Sequence, residues 1–202
     1  MKKILVLLLY CLASCQDRKC ECIIDANIIS KNDSLVNEYV NPSRTALTDY
    51  WSRFNEPILQ QSQVESYRFA ITVLVYDYFK VYRVEKKGKT YNLEIKEYAV
   101  STTTWQRKDS LVSHASKQIT KSEWESIDNA FRENCFWTMA ADIENNNHYL
   151  DGSIWVLEGY RSNPVCTNAK YHVAFRNSPD SSNFRTICEK FMQLDSLDIR
   201  FF

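Results

Sequence analysis

Glycine is scarce in this chain: Gly88, Gly152 and Gly159 are the only three among 202 residues. Phosphate-binding loops need several glycines within a few residues, because only a glycine backbone can approach the phosphates closely. The spacing of these three excludes both a P-loop and a dinucleotide-binding fingerprint. We therefore expect no nucleotide cofactor, and we find no motif for any other cofactor.

An excess of positive charge is also missing. The 25 Lys and Arg residues are balanced by 25 Asp and Glu residues, so the formal net charge at pH 7 is zero. Proteins that hold nucleic acid need surplus cationic side chains to neutralise phosphates. The one basic cluster, at residues 86–89, is short and typical of a solvated turn. We therefore expect no nucleic-acid partner.

Long apolar runs are lacking too. A helix that spans a bilayer needs roughly 20 apolar residues, and the best internal candidate, residues 69–81, is interrupted by Asp77. At the N-terminus, Lys2 and Lys3 precede a largely apolar run from Ile4 to Ala13. A short apolar run with a positive flank is typical of a secretory signal peptide, so we expect the chain to be exported.

The apolar run ends in the four residues Leu12-Ala13-Ser14-Cys15. They resemble the lipobox of bacterial lipoproteins, and the resemblance implies cleavage before Cys15, a diacylglycerol thioether on its sulfur and an acylated amino terminus. Cys11 competes less well, because Tyr10 stands where a lipobox has small residues. In Gram-negative lipoproteins an aspartate directly after the cysteine marks inner-membrane retention, so Gln16 favours the outer membrane. An ordinary signal peptide with a chance cysteine is the alternative.

Three regions follow from this interpretation. Residues 1–14 are the expected signal peptide, residues 15–42 the lipidated N-terminus with a tether, and residues 43–202 a single globular domain of a length that suits one core. The tether is polar and contains one short apolar patch, at Ile23 and Ile24. The first expected partner is thus the lipid bilayer, reached through the N-terminal acyl anchor.

Strands are marked by β-branched and aromatic residues. The stretch 67–84 is too long for one strand, so we divide it at residues 76–78. Lys87 and Gly88 then turn the chain into residues 91–100, where apolar and polar residues alternate as in a hairpin strand with one wet face. Further strands are predicted at residues 110–118, 153–160 and 171–176.

Two main helices are predicted, one after Thr120, which has capping-box spacing with Glu123, and one after Ser181 and Ser182. Their apolar stripes are Trp124, Ile127, Phe131 and Cys135 in the first, and Phe184, Ile187, Cys188, Phe191 and Met192 in the second. A shorter helix is predicted where helical spacing relates Leu47, Tyr50, Trp51 and Phe54. Hairpins and segregated helices predict an α+β fold, with an antiparallel sheet of about five to six strands and two main α-helices packed on it.

Four stretches of the domain carry a second resemblance. They are ESYRF (Glu65 to Phe69), YRVE (Tyr82 to Glu85), LDGSIWVLEGY (Leu150 to Tyr160) and YHVAFRNSP (Tyr171 to Pro179). Together with the flanking helices they resemble an uncharacterised family of small exported proteins. The resemblance covers about residues 65–194, and it implies domain boundaries and no mechanism.

Export would place the cysteines in an oxidising compartment, where disulfides persist. An odd number remains after Cys15, so at least one thiol is free or pairs between molecules: Cys20, Cys22, Cys135, Cys166 and Cys188. Cys166 is one partner available to Cys135, and the connectivity stays open. Cys188 lies on a core-facing stripe and is expected to be a buried thiol. Cys20 and Cys22 have no companion pair at zinc-site spacing, so no metal site is expected.

Catalytic motifs are few. The only histidines are His114, His148 and His172, a cysteine nucleophile would need one of them beside it, and no serine lies in a G-x-S-x-G elbow. The candidate site is a polar group in the last hairpin: Glu158, His172 and Arg176. If cross-strand pairing brings Glu158 near either of the other two, the group could bind an anion or do acid–base work. A structural ion pair is the alternative.

Three function classes remain. The favoured one is a membrane-anchored, non-enzymatic binding or structural domain with a protein partner in the cell envelope. The alternatives are an envelope hydrolase-like enzyme that uses Glu158 and His172, and an immunity or inhibitor protein against an envelope toxin. Fold alone does not choose among them.

Overall fold

The structure is a computed structural model that describes residues 48–73, 77–100, 109–139, 141, 152–163, 170–179 and 182–195. Several features of the sequence lie outside these described residues: the lipobox with Cys15, the tether with Cys20 and Cys22, Leu47, His148 and Cys166. The two main helices and the predicted strands lie within them, except for residues 74–76 of the stretch 67–84.

Six strands form one antiparallel sheet. They are β1 (Glu65–Val73), β2 (Tyr78–Lys87), β3 (Thr90–Ala99), β4 (Ser110–Gln118), β5 (Ser153–Tyr160) and β6 (Tyr171–Asn177). Their order across the sheet is β4-β3-β2-β1-β5-β6, so the first four follow one another as neighbours and the last hairpin adds to the free side of β1. The predicted division of residues 67–84 into two strands is confirmed. The register shifts between Glu97 and Tyr98, where β3 pairs with β4.

Among the described residues, four helices accompany the sheet. They are α1 (48–53), α2 (Leu59–Ser62), α3 (Lys121–Glu133) and α4 (Asn183–Leu194), and a 3-10 turn follows α3 at Phe136–Thr138. The α+β class is therefore confirmed. Within the described segments, no helix is both apolar and long enough to cross a bilayer.

Local sequence sets the starts of both long helices. Thr120 and Glu123 form the predicted capping box, in which each side chain bonds the backbone N–H of the other. The side chain of Ser182 caps α4 by accepting from the N–H of Arg185. The first apolar stripe is shorter than predicted, because α3 ends at Glu133 and Cys135 adopts a left-handed conformation with φ of 56°. That backbone reversal leads the chain into the 3-10 turn.

The main core lies between the sheet and the two long helices. Aromatic contacts dominate it; for example, the rings of Tyr67 on β1 and Phe131 on α3 have centroids 4.2 Å apart. The six helix residues expected there are all buried, which confirms the prediction: Trp124, Ile127, Phe131, Phe184, Ile187 and Phe191. Burial of these side chains removes a large apolar area from water and holds both helices on one face of the sheet.

The opposite face carries a smaller core beneath α1. Trp51 and Phe54 of α1 are buried against it, and the ring of Phe54 lies 4.2 Å from Phe79 on β2 and 4.9 Å from Tyr98 on β3 between centroids. The predicted short helix is thus present at its described residues. Both faces of the central strands are covered, and β5 and β6 carry the candidate site residues across both layers.

Candidate functional site

Glu158 lies in the middle of β5, on the face that α1 covers. Residues that oppose each other in antiparallel strands share a face, and Glu158 lies opposite Arg68 of β1 and Val173 of β6. Glu158 is only 2% exposed. A carboxylate buried without partners would cost several kcal/mol, so the stability of this face depends on what surrounds it.

Three donors surround the carboxylate of Glu158. Arg68 Nη1 donates to Oε2 at 2.8 Å, while the indole Nε1 of Trp51 and the hydroxyl of Tyr171 donate to Oε1 at 3.0 and 2.5 Å. The guanidinium carbon of Arg68 also lies 4.2 Å from the centroid of the Trp51 ring. Both oxygens of Glu158 therefore have hydrogen-bond partners, and one of those partners is a buried guanidinium.

Arg68 itself lies directly opposite a second arginine, Arg83 of β2. Like charges in opposed positions destabilise a sheet, and Arg68 is completely buried. Glu56, from the loop after α1, neutralises both: its Oε2 is 3.6 Å from Arg68 Nε and accepts from Arg83 Nε at 3.0 Å. Its other oxygen lies 2.7 Å from Lys96 Nζ on β3, and the carbonyl of Pro57 accepts from Arg68 Nη2.

Glu85 completes the group by pairing with Arg83 Nη1, and it also pairs with Lys87 Nζ at the solvent side. We call the set of buried and half-buried charges on this face the ion network: Glu56, Arg68, Arg83, Glu85, Lys96 and Glu158. It contains equal numbers of carboxylates and cations. Each carboxylate has at least one cation within 4 Å, so the charges of the network are paired.

Beside the ion network is a pocket of about 20 Å³, room for roughly one water molecule. Its walls are Thr48, Trp51, Ile58, Leu59, Gln60, Glu158 and Tyr171. Small-molecule sites usually enclose some 300–1,000 Å³. A second depression, over the first turn of α4, lies on the open surface and is lined by Ser182, Asn183, Arg185, Thr186 and Glu189.

His172 lies on the other face of the sheet from Glu158. It opposes Gly159, its Nε2 donates to the carbonyl of Met139 at 2.9 Å, and its ring packs edge-on against Phe136 with centroids 4.9 Å apart. Burial lowers the pKa of His172 to about 4, so the imidazole is neutral near pH 7. It serves as a packed structural residue that ties β6 to the segment after α3.

Arg176 is on the same face as His172 and opposes Trp155. Its guanidinium carbon lies 5.2 Å from the centroid of the Phe184 ring on α4, and its Nη1 donates to the carbonyl of Ala141 at 3.4 Å. The contacts tie the helix, the strand and residue 141 together. Arg176 is 9% exposed, so it offers little surface to a ligand.

The expectation that Glu158 pairs with His172 or Arg176 is therefore wrong, although the expectation that it has a charged partner is right. The physical reason is register: Glu158 opposes Val173, and its neighbour Gly159 opposes His172, so His172 and Arg176 both lie on the face opposite to that of Glu158. The partner is Arg68. Arg68 stands between Tyr67 and Phe69 in a predicted strand, and this was the available signal, since a buried arginine needs a carboxylate.

The remaining candidate residues are placed as follows. Cys188 is a free, fully buried thiol, as predicted, and burial raises its pKa. Cys135 is disulfide-bonded, while Cys166 lies outside the described residues. His114 is on the exposed strand β4, as predicted, and its Nε2 is 2.6 Å from Glu94 Oε2. Within the described ranges, no three His, Cys, Asp or Glu side chains are grouped so that they could hold a metal ion.

The last hairpin thus contributes one residue to a paired network on one face and two separate structural contacts on the other.

In comparisons with family models, with curated proteins and with solved structures, nothing matched this chain. A functional proposal therefore depends on the N-terminal sequence pattern and on the geometry described above.

Proposed function

We propose that the protein is a lipoprotein of a Gram-negative cell envelope, anchored through Cys15, whose domain is a non-enzymatic binding or structural module. The observation that carries the proposal is Leu12-Ala13-Ser14-Cys15 at the end of a short apolar run with a positive flank. Each buried CH₂ of an acyl chain adds about 0.8 kcal/mol to membrane binding, and more than one chain holds a protein stably. Gln16, directly after the anchor, favours the outer membrane.

The cysteine chemistry of the domain supports export. Cys135 is disulfide-bonded, while Cys188 is a free thiol shielded by complete burial. Disulfides persist in oxidising compartments such as the bacterial periplasm and are rare in the reducing cytosol.

The ion network supports a non-enzymatic role. General acid–base catalysis needs a group that is free to exchange a proton with a substrate. Glu158 has its oxygens occupied by Arg68, Trp51 and Tyr171, and the pocket beside it holds roughly one water. The hydrolase alternative required Glu158 and His172 in one pocket, and the two lie on opposite faces of β5 and β6.

The anchor is tested by metabolic labelling with an alkyne fatty acid, followed by mass spectrometry of the mature N-terminus. The parent chain should carry the label on Cys15 and sediment with outer membranes in a density gradient. Cys15→Ala should lose the label and remain unprocessed or soluble, whereas the matched control Cys11→Ala should keep it. A mature N-terminus that is unmodified, or that begins at another residue, would refute the anchor.

The binding role is tested by affinity capture of the full chain from detergent-solubilised envelopes after chemical cross-linking. A binding module should recover specific envelope protein in proportion to its expression. Capture that yields nothing above a control lipoprotein, at several cross-linker lengths, would contradict the binding role. Neither result depends on the labelling experiment, so the anchor and the binding role are judged separately.

A further inference from the structure

β4 differs from every other strand of the sheet. All nine of its residues, Ser110 to Gln118, are exposed, and it stands at the end of the strand order with β3 as its neighbour. An edge strand presents a row of backbone N–H and C=O groups that is ready to pair with another strand. At nine residues it is also longer than the usual five to six.

The other edge of the sheet, at β6, is partly covered. There the N–H of Phe175 on β6 donates to the carbonyl of Ala141 at 2.7 Å, so chain outside the sheet covers part of that edge. At β4, in contrast, Leu111 and Val112 are 53% and 66% exposed. Two adjacent large apolar side chains on an open strand edge are exposed to water in a monomer, and they would be buried if the edge formed an interface.

We propose that β4 pairs with β4 of a second copy of this chain, antiparallel and about a two-fold axis, to join the two sheets into one. An antiparallel strand pair has two-fold symmetry by construction, so such a contact closes as a dimer and leaves no further free edge of this kind. The register that pairs all nine residues places His114 opposite itself. In that register Leu111 lies opposite Lys117, and Ser110 lies opposite Gln118.

The side chains of β4 fit this register. The strand contains no acidic residue, and the aliphatic stem of Lys117 can cover the exposed Leu111 of the other copy. Each His114 is already paired with Glu94 of its own chain, so the two facing imidazoles carry their own counter-charges.

The proposed dimer goes beyond the proposed function and does not depend on the anchor. It should form with or without acylation of Cys15. The experiments therefore use the full chain in detergent and repeat each measurement on the full chain with Cys15→Ala. If the label on Cys15 is absent and the dimer forms, only the anchor proposal fails. If the label is present and no dimer forms, only the dimer proposal fails.

Disulfide trapping tests the register. Residues directly opposite in an antiparallel pair have Cα atoms about 4.5–5.5 Å apart, which suits a disulfide. His114→Cys should therefore form a covalent dimer on mild oxidation, above the background of the parent chain. Ser110→Cys should not, because its two copies would be about 27 Å apart, but a mixture of Ser110→Cys and Gln118→Cys chains should cross-link.

Sedimentation velocity tests the interface itself. Leu111→Lys and Leu111→Glu remove the same apolar side chain, but the first creates two like-charge contacts with Lys117 and the second two opposite-charge contacts. We expect a dimer dissociation constant about tenfold weaker for Leu111→Lys than for Leu111→Glu. A parent chain that is monomeric at its highest soluble concentration, equal effects of the two variants, or equal trapping at residues 110 and 114 would each overturn the proposal.

Discussion

The two faces of the sheet bury side chains of opposite character. Beneath α3 and α4 the buried residues are mainly apolar, with Phe131, Ile187 and Phe191 at 0% exposure. The buried charged residues on this face are Lys80 and Arg176, at 3% and 9% exposure. Beneath α1, buried aromatic residues share the face with the ion network, in which Arg68 and Glu158 are 0% and 2% exposed. The first face is held by apolar area and shape, and the second requires every charge to keep its partner.

That difference has a consequence for substitution. An apolar core loses stability in proportion to the volume removed and tolerates exchanges that conserve volume. A buried ion network loses most when one partner is removed and least when both partners of a pair are replaced together. The faces should therefore respond differently to single and paired substitutions.

The largest effect is expected on the apolar face. Phe131→Ala removes a fully buried ring that contacts Tyr67 and Phe136, and the free energy of unfolding should fall by about 3–5 kcal/mol. Phe131→Leu should recover much of that loss because it restores most of the volume. Urea denaturation followed by tryptophan fluorescence measures both. Equal losses for the two variants would mean that this face is not held by volume.

On the other face, Arg68→Met leaves Glu158 buried beside only neutral donors, at an expected cost of about 3–5 kcal/mol. Arg68→Met combined with Glu158→Met should cost less than Arg68→Met alone, although Trp51 and Tyr171 then lose their common acceptor. A double-mutant cycle from urea midpoints gives the coupling. Additive losses in the double variant would contradict a network held by paired charges.

The apolar face also contains a histidine, His172. The pKa of His172 is lowered to about 4 by burial, with Arg176 adding a smaller effect in the same direction. In the unfolded chain the His172 imidazole has a pKa of about 6.5. Between pH 6.5 and 4 it is therefore protonated in the unfolded chain and neutral in the folded one, so the free energy of unfolding decreases as the pH falls through this interval.

At or below pH 4, this protonation lowers the free energy of unfolding by about 3 kcal/mol, since each pKa unit corresponds to roughly 1.4 kcal/mol. Above pH 6.5 the imidazole makes no pH-dependent contribution. His172→Gln preserves a donor for the carbonyl of Met139 and does not titrate, so its stability should fall less steeply over this interval. Parallel slopes for the parent and the variant would show that His172 is not the buried group that titrates.

Sequence patterns predicted the apolar face well, because its signals are local. The stripe of Phe184, Ile187 and Phe191 repeats at helical spacing, and Thr120 with Glu123 marks a helix start, so both helices could be placed before any tertiary contact was known. The strands could also be predicted, since runs of β-branched residues mark them and Gly88, where φ is +63°, marks the turn between two of them.

The ion network could not be predicted in the same way. Its pairs join residues far apart in the chain, such as Trp51 with Glu158 and Arg83 with Glu56, and no local period records them. The choice between Arg68 and His172 as the partner of Glu158 depended on strand order and register, in which a shift of one residue exchanges the faces. The sequence did not show that β1 lies next to β5, and this neighbourhood is what places Arg68 opposite Glu158.

The smallest of these effects concerns Glu158→Gln, which separates a structural role from a functional one. Glutamine keeps the shape and one acceptor oxygen for Tyr171 or Trp51, while its amide group replaces the oxygen that Arg68 bonds. Arg68 retains Glu56 at 3.6 Å, so the expected loss is about 1–3 kcal/mol rather than the full cost of an isolated charge.

If Glu158 is structural, the melting temperature of Glu158→Gln should fall while the capture of envelope partners stays at the level of the parent chain. We expect that outcome, because both carboxylate oxygens are occupied within the domain. An unchanged melting temperature together with lost capture would instead make Glu158 a binding residue. Glu65→Gln, which breaks a more exposed pair with Lys86, is the matched control and should change stability by less than about 1 kcal/mol.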